Sequence, residues 1–199
     1  LGDALGNVVV LEHSCIGGSN TWSTQVTKLN GAGATQWSHQ WEDPETQYAS
    51  AQDLALDPAG TIVYSGRAHH GPGRGGHPEY AWTRALDPSG ALLWADEDTD
   101  APGSPRGAYG ADVDPAGGIY IASHREVSAV LRRLDSDGTI LWTRETPLDG
   151  GYENTISVAA GPSSEAVLAF CRIDNTDRVT ALEAYSALGD LLWETTINL

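Results

Sequence analysis

Residues 134–142, LDSDGTILW, decide how this chain is read, because the same pattern recurs three more times. It appears as LNGAGATQW ending at Trp37, LDPSGALLW ending at Trp94 and YSALGDLLW ending at Trp193, each with a glycine four residues before the tryptophan. The tryptophans are spaced by 57, 48 and 51 residues. A second motif precedes each of these: GDALGNVVV from Gly2, LDPAGTIVY from Leu56, VDPAGGIYI from Val113, and a degenerate AGPSSEAVLA from Ala160. Registered recurrence at about 50 residues is the signature of a repeat architecture.

Working outward from residues 134–142, the third unit reads as four short strands, YGADVD, GIYIAS, SAVLRRLD and TILWTRET, joined by DPAG, a short connection through His124 to Glu126, and DSDG. Asp-Pro-x-Gly and Asp-Ser-Asp-Gly put proline where φ near −65° is wanted and glycine where φ is positive, the chemistry of tight turns. The first strand of each unit carries small residues, as at Leu54 to Leu56, Ala111 to Val113 and Val158 to Ala160. Such strands suit a crowded axis. Trp37, Trp94, Trp142 and Trp193 fall on the fourth, outermost strand, where a large ring fills the widening gap between units.

LDPSGALLW and LDSDGTILW, each followed by a short strand and a VDPAG-type turn, resemble the PQQ-like and related secreted bacterial β-propeller repeats. The resemblance covers essentially the whole chain and implies an all-β propeller of four consecutive four-stranded antiparallel blades. The blade repeats run over approximately 1–46, 47–103, 104–150 and 151–199, and the first lacks its innermost strand. The segment is expected to be part of a larger ring or a half-ring, completed by a second copy as an eight-bladed homodimer or by remaining blades of a longer chain. Secreted or cell-surface localisation is what the resemblance favours. Its quinone-dehydrogenase branch would need adjacent cysteines, which Cys15 and Cys171 do not supply.

Composition bounds the function classes. The formal net charge is −16, from 27 acidic against 11 basic residues, so long-range electrostatics oppose nucleic acid and anionic lipid as partners. No apolar run approaches the ~20 residues that span a bilayer, so membrane insertion is not expected. The absence of any Met makes a processed or excised piece the expectation. Cys15 and Cys171 fall near the ends of equivalent strands in the first and fourth units, and read as two thiols, with a disulfide as the alternative.

Strand alternation puts the short repeated turns at one end of the units and the long irregular segments, Trp41 to Ser50, Arg67 to Glu79, Glu97 to Arg106 and Thr146 to Asn154, at the other. Loops varied on a rigid scaffold are where binding residues concentrate. On that end His69, His70 and His77 could ligate Zn²⁺ or Cu²⁺, although their spacing matches no established site. Asp96, Asp98 and Asp100 could offer oxygens to a weakly bound Ca²⁺ or other divalent cation, without a complete calcium loop. No other cofactor is expected. Tyr48 and Tyr152 sit at matching positions nine residues before Asp57 and its counterpart Gly161, where rings could stack on sugars or pack on peptide side chains.

Catalytic signals are thin: no serine lies in a nucleophile-elbow context and no catalytic residue is assigned. The leading expectation is a non-enzymatic binding or scaffold module engaging a protein or polysaccharide through the long-loop face. The alternatives are an enzyme with an axial site in the complete ring, glycan cleavage being the chemistry its carboxylates and aromatics suit, and a purely structural segment of a large surface protein.

Overall fold

The computed structural model describes residues 1–16, 21–41, 46–70, 79–98, 107–125, 127–148, 156–174 and 177–198. Every regular element in it is a strand. The first antiparallel sheet comprises β1 (Val8–Ile16), β2 (Thr21–Leu29) and β3 (Thr35–Trp41) in that order. The second holds β4 (Thr46–Leu56), β5 (Ile62–His70), β6 (Glu79–Leu86) and β7 (Leu92–Asp98). The third holds β8 (Gly107–Val113), β9 (Ile119–Arg125), β10 (Ser128–Leu134) and β11 (Ile140–Pro147), and the fourth β12 (Ile156–Ala160), β13 (Ala166–Asp174), β14 (Asp177–Tyr185) and β15 (Leu191–Asn198). The described residues are thus all-β, with 15 strands in four antiparallel sheets, the first of three strands. Ahead of β1, Gly2 makes only an isolated bridge to Val8.

Turn chemistry explains the regular hairpins. In the turn from Asp135 to Gly138, the Asp135 carboxylate accepts the N–H groups of Asp137 and Thr139 at 3.0 and 2.9 Å, and Gly138 supplies φ 83°. The degenerate turn after β12 keeps this backbone without glycine, so Ser164 is the one described non-glycine residue at positive φ, 62°.

The core lies between sheets, in three successive layers. Val9 and Val26 of the first sheet pack with Ile62, Tyr64, Trp82 and Leu86 of the second. Val63 and Ala81 of the second meet Ile119, Ile121 and Leu134 of the third. Tyr120 and Leu131 of the third meet Leu168, Phe170 and Tyr185 of the fourth. Because strand side chains alternate in direction, each sheet with apolar residues on both faces serves two layers.

The four repeated tryptophans are placed by a shared irregularity. Trp37, Trp94, Trp142 and Trp193 lie opposite Lys28, Ala85, Arg133 and Ala184, and in each sheet a register shift falls just before that pair. The extra residue is the one before the tryptophan. Such a bulge turns the ring toward the following sheet and leaves Leu93, Leu141 and Leu192 about half exposed.

Two of the expected irregular segments are shorter than the sequence suggested. Thr46 to Ser50 continues β4 and Arg67 to His70 continues β5, the two paired from Thr46 opposite His70 to Ser50 opposite Arg67. Ladder hydrogen bonding outweighs the weak local strand signal of these residues.

Candidate functional site

At the short-turn end the side chains are taken up by the fold. Asp3 accepts the N–H groups of Leu5 and Asn7, each at 2.9 Å, and lies 3.1 Å from Lys28. The Asn7 amide, followed by those backbone donors and Lys28, outweighs desolvation and brings its carboxyl down to about 2. Asp87 accepts from the Ser89 hydroxyl at 2.7 Å and from the N–H groups of Ser89 and Ala91, and its carboxyl too is held below the ordinary range, the Ser89 hydroxyl being the largest cause. Asp114 is fully buried. Burial pushes its carboxyl up, but the N–H groups of Gly118 and Ala116, at 2.9 and 2.8 Å, together with the Arg133 guanidinium overcome that and hold it low. A groove of about 320 Å³ opens here between the first and second sheets, lined by Asp3, Lys28, Asp57, Pro58 and Pro88.

Sheet-to-sheet docking occupies the same end. The indole N–H of Trp37 donates to the Pro88 carbonyl at 3.1 Å, Trp94 to Ser136 at 2.9 Å and Trp142 to Ala187 at 3.0 Å. Each acceptor is the second residue of the next sheet's last turn. Arg133 donates to the same Ala187 carbonyl at 2.8 Å, and Arg144 to that of Gly189 at 2.6 Å.

Along the first strands, carboxylates stitch neighbouring sheets together. Asp53 accepts the N–H of Ala111 at 3.0 Å, and Asp112 that of Ala160 at 2.8 Å, in each case on the first strand of the next sheet. Each also accepts the N–H of the residue following it, at 2.8 Å. Asp53 lies opposite Ser65 and Asp112 opposite Tyr120, so the two make the same kind of contact from positions two residues apart along their strands.

The opposite end is different in chemistry. Toward it lie the guanidinium–carboxylate pairs Arg67 with Glu79 at 3.8 Å and Arg125 with Glu145, while Arg84 with Glu97 at 2.7 Å and Arg132 with Asp96 at 4.0 Å sit along the middle of the strands. A mostly polar groove of about 270 Å³ is lined by Arg172, Glu183, Glu194, Thr195 and Thr196. Glu183, 4% exposed, accepts from the Tyr185 hydroxyl at 2.6 Å and from the Thr146 hydroxyl at 2.7 Å. Burial first, then this hydrogen bond to a carboxylate, pushes the Tyr185 phenol up to about 12.

The residues singled out from sequence distribute unevenly. Asp96 is on β7 opposite Thr83, and its nearest described cation is Arg132. Asp98 is opposite Ala81, with its side chain outside the described residues, as Asp100 is entirely. Tyr48 and His69 are register partners on β4 and β5, and Thr46 faces His70, so the backbone brings one candidate aromatic beside two candidate histidines. The side chains of Tyr48, His69 and His70, and all of His77 and Tyr152, lie outside the described residues. Among the described residues no cluster of three or more His, Cys, Asp or Glu is arranged to hold a metal ion. Cys171 is half-buried on β13, whereas the Cys15 side chain lies outside the described residues. The Glu183–Tyr185–Thr146 network went unread in sequence, since a lone Glu inside VTALEAY carries no motif.

No family model and no curated protein matches the sequence. Among solved structures, the chain is similar to one titled "Crystal structure of the eukaryotic initiation factor", with a TM-score of 0.51 and 12% identity. The match covers 96% of this chain and 43% of that one, so this chain spans less than half its length. At that identity the likeness concerns the fold alone.

Proposed function

We propose that the four sheets are successive blades of a β-propeller and that the chain is a non-enzymatic binding module, engaging a protein or polysaccharide through the long-loop end. The observation that carries this reading is the division of labour between the two ends. The turn carboxylates Asp3, Asp57, Asp87, Asp114 and Asp135 are all engaged by backbone N–H groups, so the short-turn end is committed to holding the scaffold. The other end presents the Arg67–Glu79 and Arg125–Glu145 pairs, and a polar groove lies along the middle of the fourth sheet's last strands, groups suited to hydrogen-bonding a sugar hydroxyl or a peptide. Glycan cleavage receives less support. It needs a carboxylic acid kept protonated near neutrality, and among the described residues Asp3, Asp87 and Asp114 are instead held below the ordinary range.

Probing glycan and peptide arrays with the 199-residue chain tests the proposal. Binding to one ligand class that is lost in Arg172→Ala or Glu194→Ala, and retained in Asp57→Asn at the opposite end, is the expected result. Binding lost only through Asp57→Asn would place function at the wrong end, and failure to bind on either array would remove the binding-module reading.

A further inference from the structure

We infer that the outer face of the fourth sheet is a docking surface for the first sheet of a second copy of this chain. The inference is independent of any ligand at the long-loop end. It rests on continuity with an interface that occurs three times within the molecule. In each, a tryptophan on the last strand donates its indole N–H to the second residue of the next sheet's last turn. Its ring also lies over that turn's glycine: a Cβ built on Gly90 or Gly138 would meet Trp37 or Trp94 at 2.7 Å, and one on Gly189 would meet Trp142 at 2.9 Å.

One half of the same interface is left over at each end of the row. Trp193 lies opposite Ala184 as Trp94 lies opposite Ala85, yet it is 47% exposed. Leu188, Leu191, Leu192 and Ile197 around it are exposed as well. In the first sheet, the turn from Asn30 to Gly33 has the same backbone closure, Gly33 N–H to the Asn30 carbonyl at 2.8 Å, and a positive φ of 81°. A Cβ on Gly33 meets nothing within 4 Å, so among the described residues no ring covers that turn.

The faces behind these two halves match in their order. On the fourth sheet, Val167, Ala169, Leu182 and Trp193 share a face near the short turns, and Thr180 and Arg178 continue it toward the long-loop end. On the first sheet, Val8, Val10 and Leu29 share a face near the short turns, and Gln25 and Glu12 continue it. Apolar would meet apolar, and an arginine-bearing half would meet a glutamate-bearing one. Such a contact is heterologous, so two copies joined through both pairs of ends close on themselves. The occupant is a second copy because this chain itself carries the acceptor turn that Trp193 lacks.

Light scattering on the full chain, paired with two variants, decides the matter. The wild type is expected at twice 21.0 kDa. Trp193→Ser, on the donor face, and Val10→Glu, on the acceptor face, should each run as a folded monomer with circular dichroism unchanged, association weakening by about 30-fold or more, as for an interface hot spot. An equimolar mixture of the two variants keeps one intact donor and one intact acceptor, and should recover a heterodimer. With a net charge of −16 per copy, association should strengthen with added salt. A monomeric wild type would overturn the inference and assign the Trp193 face to other repeats or another partner. A dimer indifferent to both variants, or a mixture that stays monomeric, would overturn it too.

Discussion

The indole N–H of Trp142 and the carbonyl of Ala187, 45 residues further along the chain, meet at 3.0 Å across the boundary between the third and fourth sheets. The ring is also flanked by Tyr120 and Tyr185 at centroid distances of 6.1 and 6.2 Å, with the Arg144 guanidinium 5.6 Å away. Replacing Trp142 with alanine removes a hydrogen bond, a half-buried aromatic surface and the partner of a cation. A loss of about 3 kcal/mol in unfolding free energy is expected. Trp193→Ala, measured at protein concentrations dilute enough to exclude association, should cost under about 1 kcal/mol. Equal urea midpoints for the two variants would show that ring position, not docking, sets the cost.

Acid sensitivity should trace to Asp114. Its folded carboxyl titrates below the ordinary 3.8, so its contribution is fully present above that pH and is lost as pH falls through the lower folded value. Asp114→Asn should destabilise the chain at neutral pH by about 2 kcal/mol, since it weakens hydrogen bonds made by a charged acceptor and leaves Arg133 without its carboxylate. Its stability should also fall less steeply than the wild type's at acid pH. An unchanged acid limb in the pH series of denaturation midpoints would assign that sensitivity elsewhere.

On the alkaline side the sign reverses. The phenols of Tyr64, Tyr120 and Tyr185 are each pushed up to about 12, chiefly by burial, so the fold favours their neutral forms. Their contribution is complete below pH 10 and declines as pH rises toward 12. Glu183→Gln removes the charge that adds to burial at Tyr185. An NMR titration of the labelled tyrosines should show that phenol moving down toward 10 with the other two unmoved.

Much of the fold was legible in sequence because glycine, aspartate and tryptophan do local jobs at fixed spacing. The four sheets and the strand carrying each tryptophan followed from LDSDGTILW and its relatives. What was not legible depends on partners far along the chain. Leu93 and Leu141 sit in apolar strand runs, yet a bulge leaves each about half exposed, because turning the tryptophan onto the next sheet requires one extra residue there. Asp53 and Asp112 each accept a backbone N–H from the neighbouring sheet, 58 and 48 residues further along, a partner that local spacing does not reveal. Within the candidate site, Asp96 drew notice as an oxygen ligand, while the Arg132 beside it belongs to another sheet and could not be placed from spacing.

Each sheet after the first is held by the preceding sheet's tryptophan lying on its last turn, and a double-mutant cycle between Trp94 and Gly138 measures that docking. Gly138 has φ 83°, and a Cβ there would sit 2.7 Å from the Trp94 ring; Gly117 has φ 87° with nothing within 4 Å of its Cβ. Gly117→Ala should therefore cost only backbone strain, about 1 kcal/mol, and Gly138→Ala about 3 kcal/mol, because strain and clash add. In a Trp94→Ala background the Gly138→Ala cost should fall to about 1 kcal/mol, a coupling of about 2 kcal/mol. Equal costs for Gly138→Ala with and without the tryptophan would contradict the docking that organises the whole molecule.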